Sequence, residues 1–279
     1  MSLIPEEELR DLCGELDGEW SLYLSIPETE EKLSIRATER MISASTIKLP
    51  LLALLLRDGE QGRLDLHRPS ALDPENRVGG SGILQSLSPG LPLCLFDCAV
   101  LMIALSDNVA TNQVIDAVGM ERANAFIAEM GWSRTHIGRK MMREGAPLPD
   151  GSREQNYTSA ADLGDMLERI AAGTLVSQEA SCAMRRILAG QRNGKFRPAL
   201  PCQRHLDPRQ PLELPSEGKV ILCAKSGTLP GLGVANDAGL LILPNGRRVV
   251  LTMLTCTGDV NAAAAVMGRA ARTVYETLR

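Results

Sequence analysis

The order of strand-like and helix-like segments constrains the fold more than any other feature of this chain. Alternating apolar residues predict strands near the amino end and again in the last sixty residues, at 20–26, 32–40, 220–227, 237–244 and 249–255. The middle of the chain has helical periodicity, and a helix is also predicted at each end, at 6–16 and from 261 onward. This order predicts an α+β fold. An antiparallel sheet is built from both chain ends and flanked by terminal helices, and an all-helical lobe is inserted between them.

We expect one domain over residues 1–279, with a sheet lobe at about 1–44 plus 191–279 and a helical lobe at about 45–190. The cleft between the lobes is the natural place for a site. The loops at 77–84 and 191–218 are expected to set specificity. Asn245-Gly246 between two apolar runs predicts a hairpin turn.

Charge and hydropathy exclude several partners. The net charge is −4 with both signs interspersed, and 3% of residues are aromatic, so no nucleic-acid surface is predicted. The longest apolar run, Leu49 to Leu56, is too short to cross a bilayer. The acidic start MSLIPEEELRDL does not resemble a secretory signal. A cytoplasmic location is therefore expected, or a periplasmic or secreted one if a signal peptide was removed.

Cysteine and histidine spacing gives no metal pattern. Three histidines, at 67, 136 and 205, are dispersed, and the seven cysteines contain no CxxC pair: they are at 13, 94, 98, 182, 202, 223 and 256. We predict free thiols, no metal site and no cofactor.

The segment Ser45-Thr46-Ile47-Lys48 is the first candidate for chemistry. On a helix, residues three apart share a face, so the hydroxyl and the amine become neighbours. A serine hydroxyl is a weak nucleophile until a base takes its proton, and a lysine in apolar surroundings loses its charge more readily. Taken alone, the pattern also fits an N-cap serine with a snorkelling lysine, and Ser216-Glu217-Gly218-Lys219 repeats it in a Pro/Gly-rich context. The apolar run behind Lys48, from Ile47 to Leu56, predicts a helix buried on all sides.

Two further segments support Ser45. Ser106-Asp107-Asn108 interrupts an apolar helical run, which a purely structural helix would not favour. Lys225-Ser226-Gly227-Thr228 ends a predicted strand, where the glycine allows a ligand to approach the backbone. Each segment alone is typical of a helix end or a strand exit. Together, in this order and 61 and then 119 residues apart, they favour a catalytic site.

These three segments are the signature of class A β-lactamases and penicillin-binding proteins, and the chain resembles that superfamily over nearly its whole length. The resemblance implies a serine hydrolase, acylated at Ser45 by β-lactams or related amides and esters. Lys48 would be the base and Ser106 the proton relay to the leaving nitrogen. Asn108 would hold both the substrate amide and Lys48.

The resemblance also assigns substrate binding. Lys225, Ser226, Gly227 and Thr228 would bind the substrate carboxylate, and the backbone N–H groups of Ser45 and Thr228 would form the oxyanion hole. The expected partner is a small-molecule acyl substrate, with neither nucleic acid nor membrane involved. The oligomeric state stays open.

The chain departs from the family at the residue that drives hydrolysis of the acyl-enzyme. Class A β-lactamases carry a glutamate two residues after an arginine, in a loop beyond the second motif. Arg139 and Asn156 keep the two ends of that loop, but Met141 or Met142 takes the glutamate's place. Glu144 is an alternative base. The competing interpretation is that Glu144 is a solvated charge of the loop. The set of residues for acylation is thus expected to be complete, and β-lactamase turnover is expected to be weak.

Two other functions remain open from the sequence. The same motifs could serve an esterase or a D-alanyl peptidase-like hydrolase, or a sensor domain that binds β-lactams or peptides without turnover. A chromogenic cephalosporin and a simple aryl ester, tested side by side, separate these functions.

Overall fold

A computed structural model describes residues 3–203 and 207–279. Its helices are α1 Glu6–Gly14, α2 Lys48–Glu60, α3 Leu95–Ala104, α4 Asn108–Val118, α5 Met120–Glu129, α6 Ala160–Ala172, α7 Gln178–Ala189 and α8 Val260–Leu278. Its strands are β1 Gly18–Ile26, β2 Glu31–Ile35, β3 Met41–Ile42, β4 Ser70–Ala71, β5 Pro92–Leu93, β6 Tyr157–Thr158, β7 Ile221–Leu229, β8 Val234–Ile242 and β9 Arg248–Thr257.

Five long strands form one antiparallel sheet in the order β2-β1-β9-β8-β7. The pairing of β1 with β9 joins the two ends of the chain. The predicted α+β architecture, with a sheet built from both chain ends, is therefore confirmed. The hairpin at Asn245-Gly246 is also present, because β8 and β9 pair on either side of it and Gly246 has a φ of +82°, a value that glycine adopts readily.

The sheet separates two hydrophobic clusters. In β1, Leu22 and Leu24 pack into the cluster shared with α1 and α8, whereas Tyr23 belongs to the cluster shared with the helices from α2 to α7. This alternation follows from the two-residue period of a strand. Both faces of the sheet are covered, and β7 lies at its edge.

Helix α2 is buried along its length from Lys48 to Leu56, as its apolar composition predicts. The α-helix begins at Lys48, later than the motif suggests, because Ala44–Ile47 form a 3₁₀ turn first. This start places Pro50 in the first turn, where its missing N–H has no intrahelical partner to lose.

Several predicted boundaries were wrong, among them the start of the strand expected at 237–244, since β8 begins at Val234. The strand expected over 32–40 ends at Ile35, because Arg36 turns the chain with a φ of +52° and the carbonyl of Ala37 accepts a bond from the N–H of Ala161. The first helix ends at Gly14 rather than at residue 16.

The connection at 191–218 contains a 3₁₀ turn at Arg197–Ala199, and within it residues 204–206, including His205, lie outside the described residues. Among the helices of the described chain, none combines the length and the hydropathy that a bilayer-spanning segment requires.

Candidate active site

Ser45 lies in the 3₁₀ turn that precedes α2, directly against the edge strand β7. A Cβ atom built on Gly227 would lie 2.7 Å from the Ser45 backbone nitrogen and 2.9 Å from the Ser43 carbonyl oxygen. A side chain at Gly227 would therefore push the strand away from the serine. The first and third motifs are in contact because of this glycine.

Lys48 follows one turn later, and its side chain is fully buried. Residues three apart eclipse in a 3₁₀ turn, so Ser45 and Lys48 share a face. The Lys48 Nζ lies 2.8 Å from the Ser106 carbonyl oxygen, 3.0 Å from Ser106 Oγ and 3.2 Å from Asn108 Oδ1. The second motif thus surrounds the lysine of the first.

Ser106, Asp107 and Asn108 form the break between α3 and α4, as the interrupted apolar run predicts. Ser106 has a φ of +56°, and Asp107 is the N-cap of α4, where its Oδ1 accepts from the N–H of Ala110 at 3.0 Å. The second oxygen of Asp107 accepts from the N–H groups of Ile83 at 2.7 Å and Leu84 at 2.9 Å. One carboxylate therefore fixes both the helix start and the neighbouring loop.

Lys225 reaches the same serine from β7. Its nitrogen lies 3.1 Å from Ser106 Oγ and 2.6 Å from the Ser226 carbonyl oxygen. Ser106 Oγ therefore lies between two buried lysines, Lys48 and Lys225. Four residues predicted from three distant motifs meet at one point.

The two lysines have depressed pKa values. Burial, and next the charge of Lys225, lowers the pKa of Lys48 well below its ordinary value. Burial, and next the charge of Lys195, lowers the pKa of Lys225 to about 7, while Asp237 acts in the opposite direction. Two amines with lowered pKa values beside a serine are a typical catalytic arrangement.

The Ser45 hydroxyl makes no hydrogen bond within residues 3–203 and 207–279, and Ser45 lines a cavity of about 360 Å³. This cavity lies between the edge of the sheet and the helical region. Its lining comprises Ile42, Ala44, Ser45, Gly80, Ser81, Asn108, Arg139, Met141, Met142, Gln155, Asn156, Thr228, Leu229 and Pro230. The hydroxyl is thus available to a small molecule in the predicted cleft.

The remaining third-motif residues lie in different surroundings. Thr228 is exposed and lines the cavity. The buried Ser226 hydroxyl donates to the Asn193 carbonyl at 2.5 Å and accepts from Gln191 Nε2 at 3.0 Å. Because the 191–193 segment engages that hydroxyl, a contact between Ser226 and substrate stays a prediction.

Lys195 contacts the third motif, and sequence reasoning missed it. Its ammonium donates to Thr228 Oγ1 at 2.6 Å and to the Gly227 carbonyl at 2.8 Å. The buried carboxylate of Asp237, on β8, accepts from the backbone N–H groups of Lys195 at 2.5 Å and Phe196 at 3.0 Å. Lys195 lies in a polar connection without periodicity, which predicts no regular structure. The one local signal of an ordered turn is Gly194-Lys195 followed by the apolar Phe196.

Asp237 is the carboxylate that lies among these lysines. Burial raises its pKa, and its Oδ1 has no hydrogen-bond partner in the described part of the chain. Burial likewise lowers the pKa of Lys195, against the attraction of Asp237. Two lysines, Lys195 and Lys225, lie near this one carboxylate, so this end of the site is cationic when both are protonated.

The loop beyond the second motif brings both methionines to the cavity. Met141 is 7% exposed, and its backbone is held by Asn112 through bonds of 2.8 and 3.1 Å. Met142 is 55% exposed and has a φ of +56°. The Glu144 carboxylate, by contrast, is 81% exposed, pairs with Arg153 at 3.4 Å and is absent from the lining.

No other candidate competes with this site in the described residues. Ser216 and Lys219 are exposed around a turn. A group of three or more His, Cys, Asp or Glu side chains able to hold a metal is not found in the ranges 3–203 and 207–279. All seven cysteines are free thiols, as expected.

Comparisons with known proteins find beta-lactamases. The family model described as the beta-lactamase enzyme family matches residues 4–278. An imipenem-hydrolyzing beta-lactamase from Enterobacter cloacae is 21% identical over 258 residues, covering 92% of this chain and 82% of that protein. A beta-lactamase structure from Sphaerobacter thermophilus has a TM-score of 0.82 at 27% identity and covers 98% of each chain. An ancestral class A beta-lactamase has a TM-score of 0.80 at 24% identity, covering 99% of this chain and all of that one.

Proposed function

The chain belongs to the beta-lactamase enzyme family, and from that premise we propose that it is a serine hydrolase acylated at Ser45 by β-lactams or related amides and esters. The observation that carries the proposal is the meeting of Lys48 and Lys225 at the Ser106 hydroxyl, with Asn108 Oδ1 also contacting Lys48, one turn from a serine hydroxyl that opens to a cavity. A structural cluster has no need for two buried amines with lowered pKa values.

In the acylation step, the Ser45 oxygen attacks the substrate carbonyl carbon as its proton passes to the Lys48 nitrogen. The backbone N–H groups of Ser45 and Thr228 stabilise the oxyanion. Lys48 then returns the proton through the Ser106 hydroxyl to the leaving nitrogen, and the C–N bond breaks. The short contacts from Ser106 Oγ to both lysines support this relay.

Lys48 can act as a base only in its neutral form. The lowered pKa of Lys48, caused first by burial and second by the charge of Lys225, favours that neutral form. A neutral amine has two N–H groups, which donate to the Ser106 carbonyl and to Asn108 Oδ1, so its lone pair accepts the hydrogen bond of the Ser106 hydroxyl. Turning that lone pair from Ser106 to Ser45 is the adjustment that substrate binding requires.

The substrate carboxylate belongs at the cationic end of the site. Lys225 is the buried cation of this end. Lys195 donates to Thr228, which lines the cavity. Charge complementarity orients the substrate there so that its carbonyl meets Ser45. Lys195 thereby joins Lys225 and Thr228 as a carboxylate-binding residue.

Hydrolysis of the acyl-enzyme is the weak half of the proposed reaction. It needs a general base on the attacking water, and the described residues that line the cavity include neither a carboxylate nor a histidine. Met141 offers a thioether, which is at most a weak acceptor. A long-lived acyl-enzyme is the consequence, unless the natural substrate is an ester whose acyl group is hydrolysed from Ser45 more readily.

Intact-protein mass spectrometry after exposure to benzylpenicillin tests the proposal. We expect one covalent adduct, which peptide mapping assigns to Ser45, and no adduct in Ser45→Ala. Ser216→Ala is the matched control, since it removes the serine of the second S-x-x-K pattern, and it should be acylated like the wild type. An adduct that persists in Ser45→Ala would refute the assignment.

A further inference from the structure

Arg139 is the charged residue of the cavity lining, and the described residues provide it with no carboxylate. The other cations of the same loop differ from it. Lys140 pairs with Asp116 at 2.5 Å, and Arg153 pairs with Glu144 at 3.4 Å. Burial alone lowers the pKa of Arg139, with no neighbouring negative charge to oppose it. A half-buried guanidinium without a counter-ion is costly unless a ligand supplies one.

The hydrogen bonds of Arg139 leave part of its guanidinium free. Its Nε donates to Gln155 Oε1 at 2.9 Å, and its Nη1 donates to the Arg143 carbonyl at 3.0 Å. Its Nη2, and the Nε2 of Gln155, donate to no acceptor within the described chain. Both residues line the cavity, and the bond between them holds the two side chains together.

Arg139, Gln155 and Asn156 form one corner of the cavity lining. The side-chain amide of Asn156 already has hydrogen-bond partners. Its Oδ1 accepts from the N–H groups of Gly138 and Arg139, and its Nδ2 donates to the Arg139 carbonyl. This amide therefore braces the backbone that carries Arg139. The free donors of the corner belong to Arg139 and Gln155.

We propose that Arg139 and Gln155 form a second anion-binding subsite, which takes a carboxylate carried on the acyl portion of the substrate. The inference rests on the proposed function, because it assumes that Ser45 divides the bound molecule into an acyl portion and a leaving portion. The leaving portion of a β-lactam carries its own carboxylate to Lys195, Lys225 and Thr228. The substrate class is thus an acyl donor with negative charge at both ends, and fork-like pairing with a guanidinium suits a carboxylate.

Two penicillins that differ by one carboxylate test this subsite. Benzylpenicillin and α-carboxybenzylpenicillin share the ring system, and only the latter carries a side-chain carboxylate. The measurement is the second-order rate constant for acylation, taken as a ratio of the two compounds so that general loss of activity cancels. We expect Arg139→Gln to lower the ratio of α-carboxybenzylpenicillin to benzylpenicillin about tenfold.

Arg153→Gln is the matched control, because it removes the same charge from the same loop at a residue outside the cavity lining. It should leave the ratio unchanged. Arg139→Lys should keep part of the preference for α-carboxybenzylpenicillin over benzylpenicillin. Gln155→Leu should lower that preference although the Arg139 guanidinium remains. Raising the salt concentration should shrink the wild-type preference more than that of Arg139→Gln.

The contrary result is an unchanged ratio in Arg139→Gln, in protein that keeps its thermal midpoint and its acylation by benzylpenicillin. Failure of the proposed function looks different, because neither penicillin would then acylate the wild type. In that case calorimetric titration of Ser45→Ala with both compounds still decides. α-Carboxybenzylpenicillin that binds no tighter than benzylpenicillin would overturn the subsite.

Discussion

At the scale of single residues, the central feature is a serine hydroxyl held between two lysines. Ser106 Oγ lies 3.0 Å from the Lys48 nitrogen and 3.1 Å from the Lys225 nitrogen. Both amines are buried, yet only Lys48 is one turn from Ser45. Within the proposed function, this asymmetry favours Lys48 for proton transfer and leaves Lys225 the role of charge complementarity.

The two lysine variants should therefore fail differently. Lys48→Ala should lose acylation by every substrate, by about a hundred- to ten-thousand-fold, since each needs the serine proton removed. Lys225→Met, which preserves most of the buried volume, should chiefly slow substrates that carry a carboxylate. Acylation rates with benzylpenicillin and with phenyl acetate, a neutral aryl ester, measure the difference. Equal losses of ester hydrolysis in both variants would show that the division of roles is wrong.

At the scale of elements, one cap connects helix α4 to the loop that borders the cavity. Asp107 satisfies the N–H of Ala110 in α4 and those of Ile83 and Leu84 in the loop. The carbonyl oxygens of Gly79 and Ser81 in turn accept from the side chain and backbone of Asn108. The position of Asn108, and through it Lys48, depends on this cap.

Asp107→Ala should lower the free energy of unfolding by about 2 kcal/mol and slow acylation at least tenfold. Ser177→Ala is a matched control, because Ser177 caps α7 away from the cavity: its hydroxyl accepts from the N–H of Ala180 and donates to the exposed Glu60 carboxylate at 2.6 Å. It should cost about 1 kcal/mol and leave acylation unchanged. Urea unfolding and acylation kinetics provide the two measurements. An Asp107→Ala protein that is acylated at the wild-type rate would contradict the link between cap and site.

The sequence predicted the elements that rest on local periodicity and the residues that belong to short motifs. Helix α2 and the β8–β9 hairpin were correct because apolar spacing and Asn245-Gly246 encode them directly. Ser45, Lys48, Ser106 and Lys225 were brought together by the fold as their motifs indicated. Lys195 was missed because a buried carboxylate on a distant strand, Asp237, orders the aperiodic turn that carries it. The free donors of Arg139 were invisible for the same reason, since only packing shows which charges have partners.

At the scale of the whole molecule, the buried lysines affect stability. Lys225 has a pKa of about 7 in the folded protein and an ordinary value of 10.5, so between these values the unfolded chain binds more protons than the folded one. Stability must therefore rise with pH through this window. Lys48 and Lys195, whose pKa values are also lowered, act in the same direction.

We predict that the free energy of unfolding rises between pH 7 and 8.5, and that Lys225→Met reduces the slope by up to about 1.4 kcal/mol per pH unit. Urea unfolding at several pH values measures it. The range stops below pH 9 because burial raises the pKa of the Cys98 and Cys223 thiols from 9.0 to about 12, which acts in the opposite direction above that pH. A slope that is the same in both proteins would show that Lys225 remains charged in the folded state.

The proposed function predicts rapid acylation and slow deacylation, because the described residues that line the cavity include neither a carboxylate nor a histidine. Stopped-flow mixing with a chromogenic cephalosporin tests this most directly. We expect a burst of one equivalent per protein molecule, absent in Ser45→Ala, followed by slow turnover. Met141→Glu should speed the slow phase, because Asn112 fixes that backbone at the cavity and a carboxylate there can activate water. Fast steady-state hydrolysis by the unmodified protein, without a burst, would contradict the account.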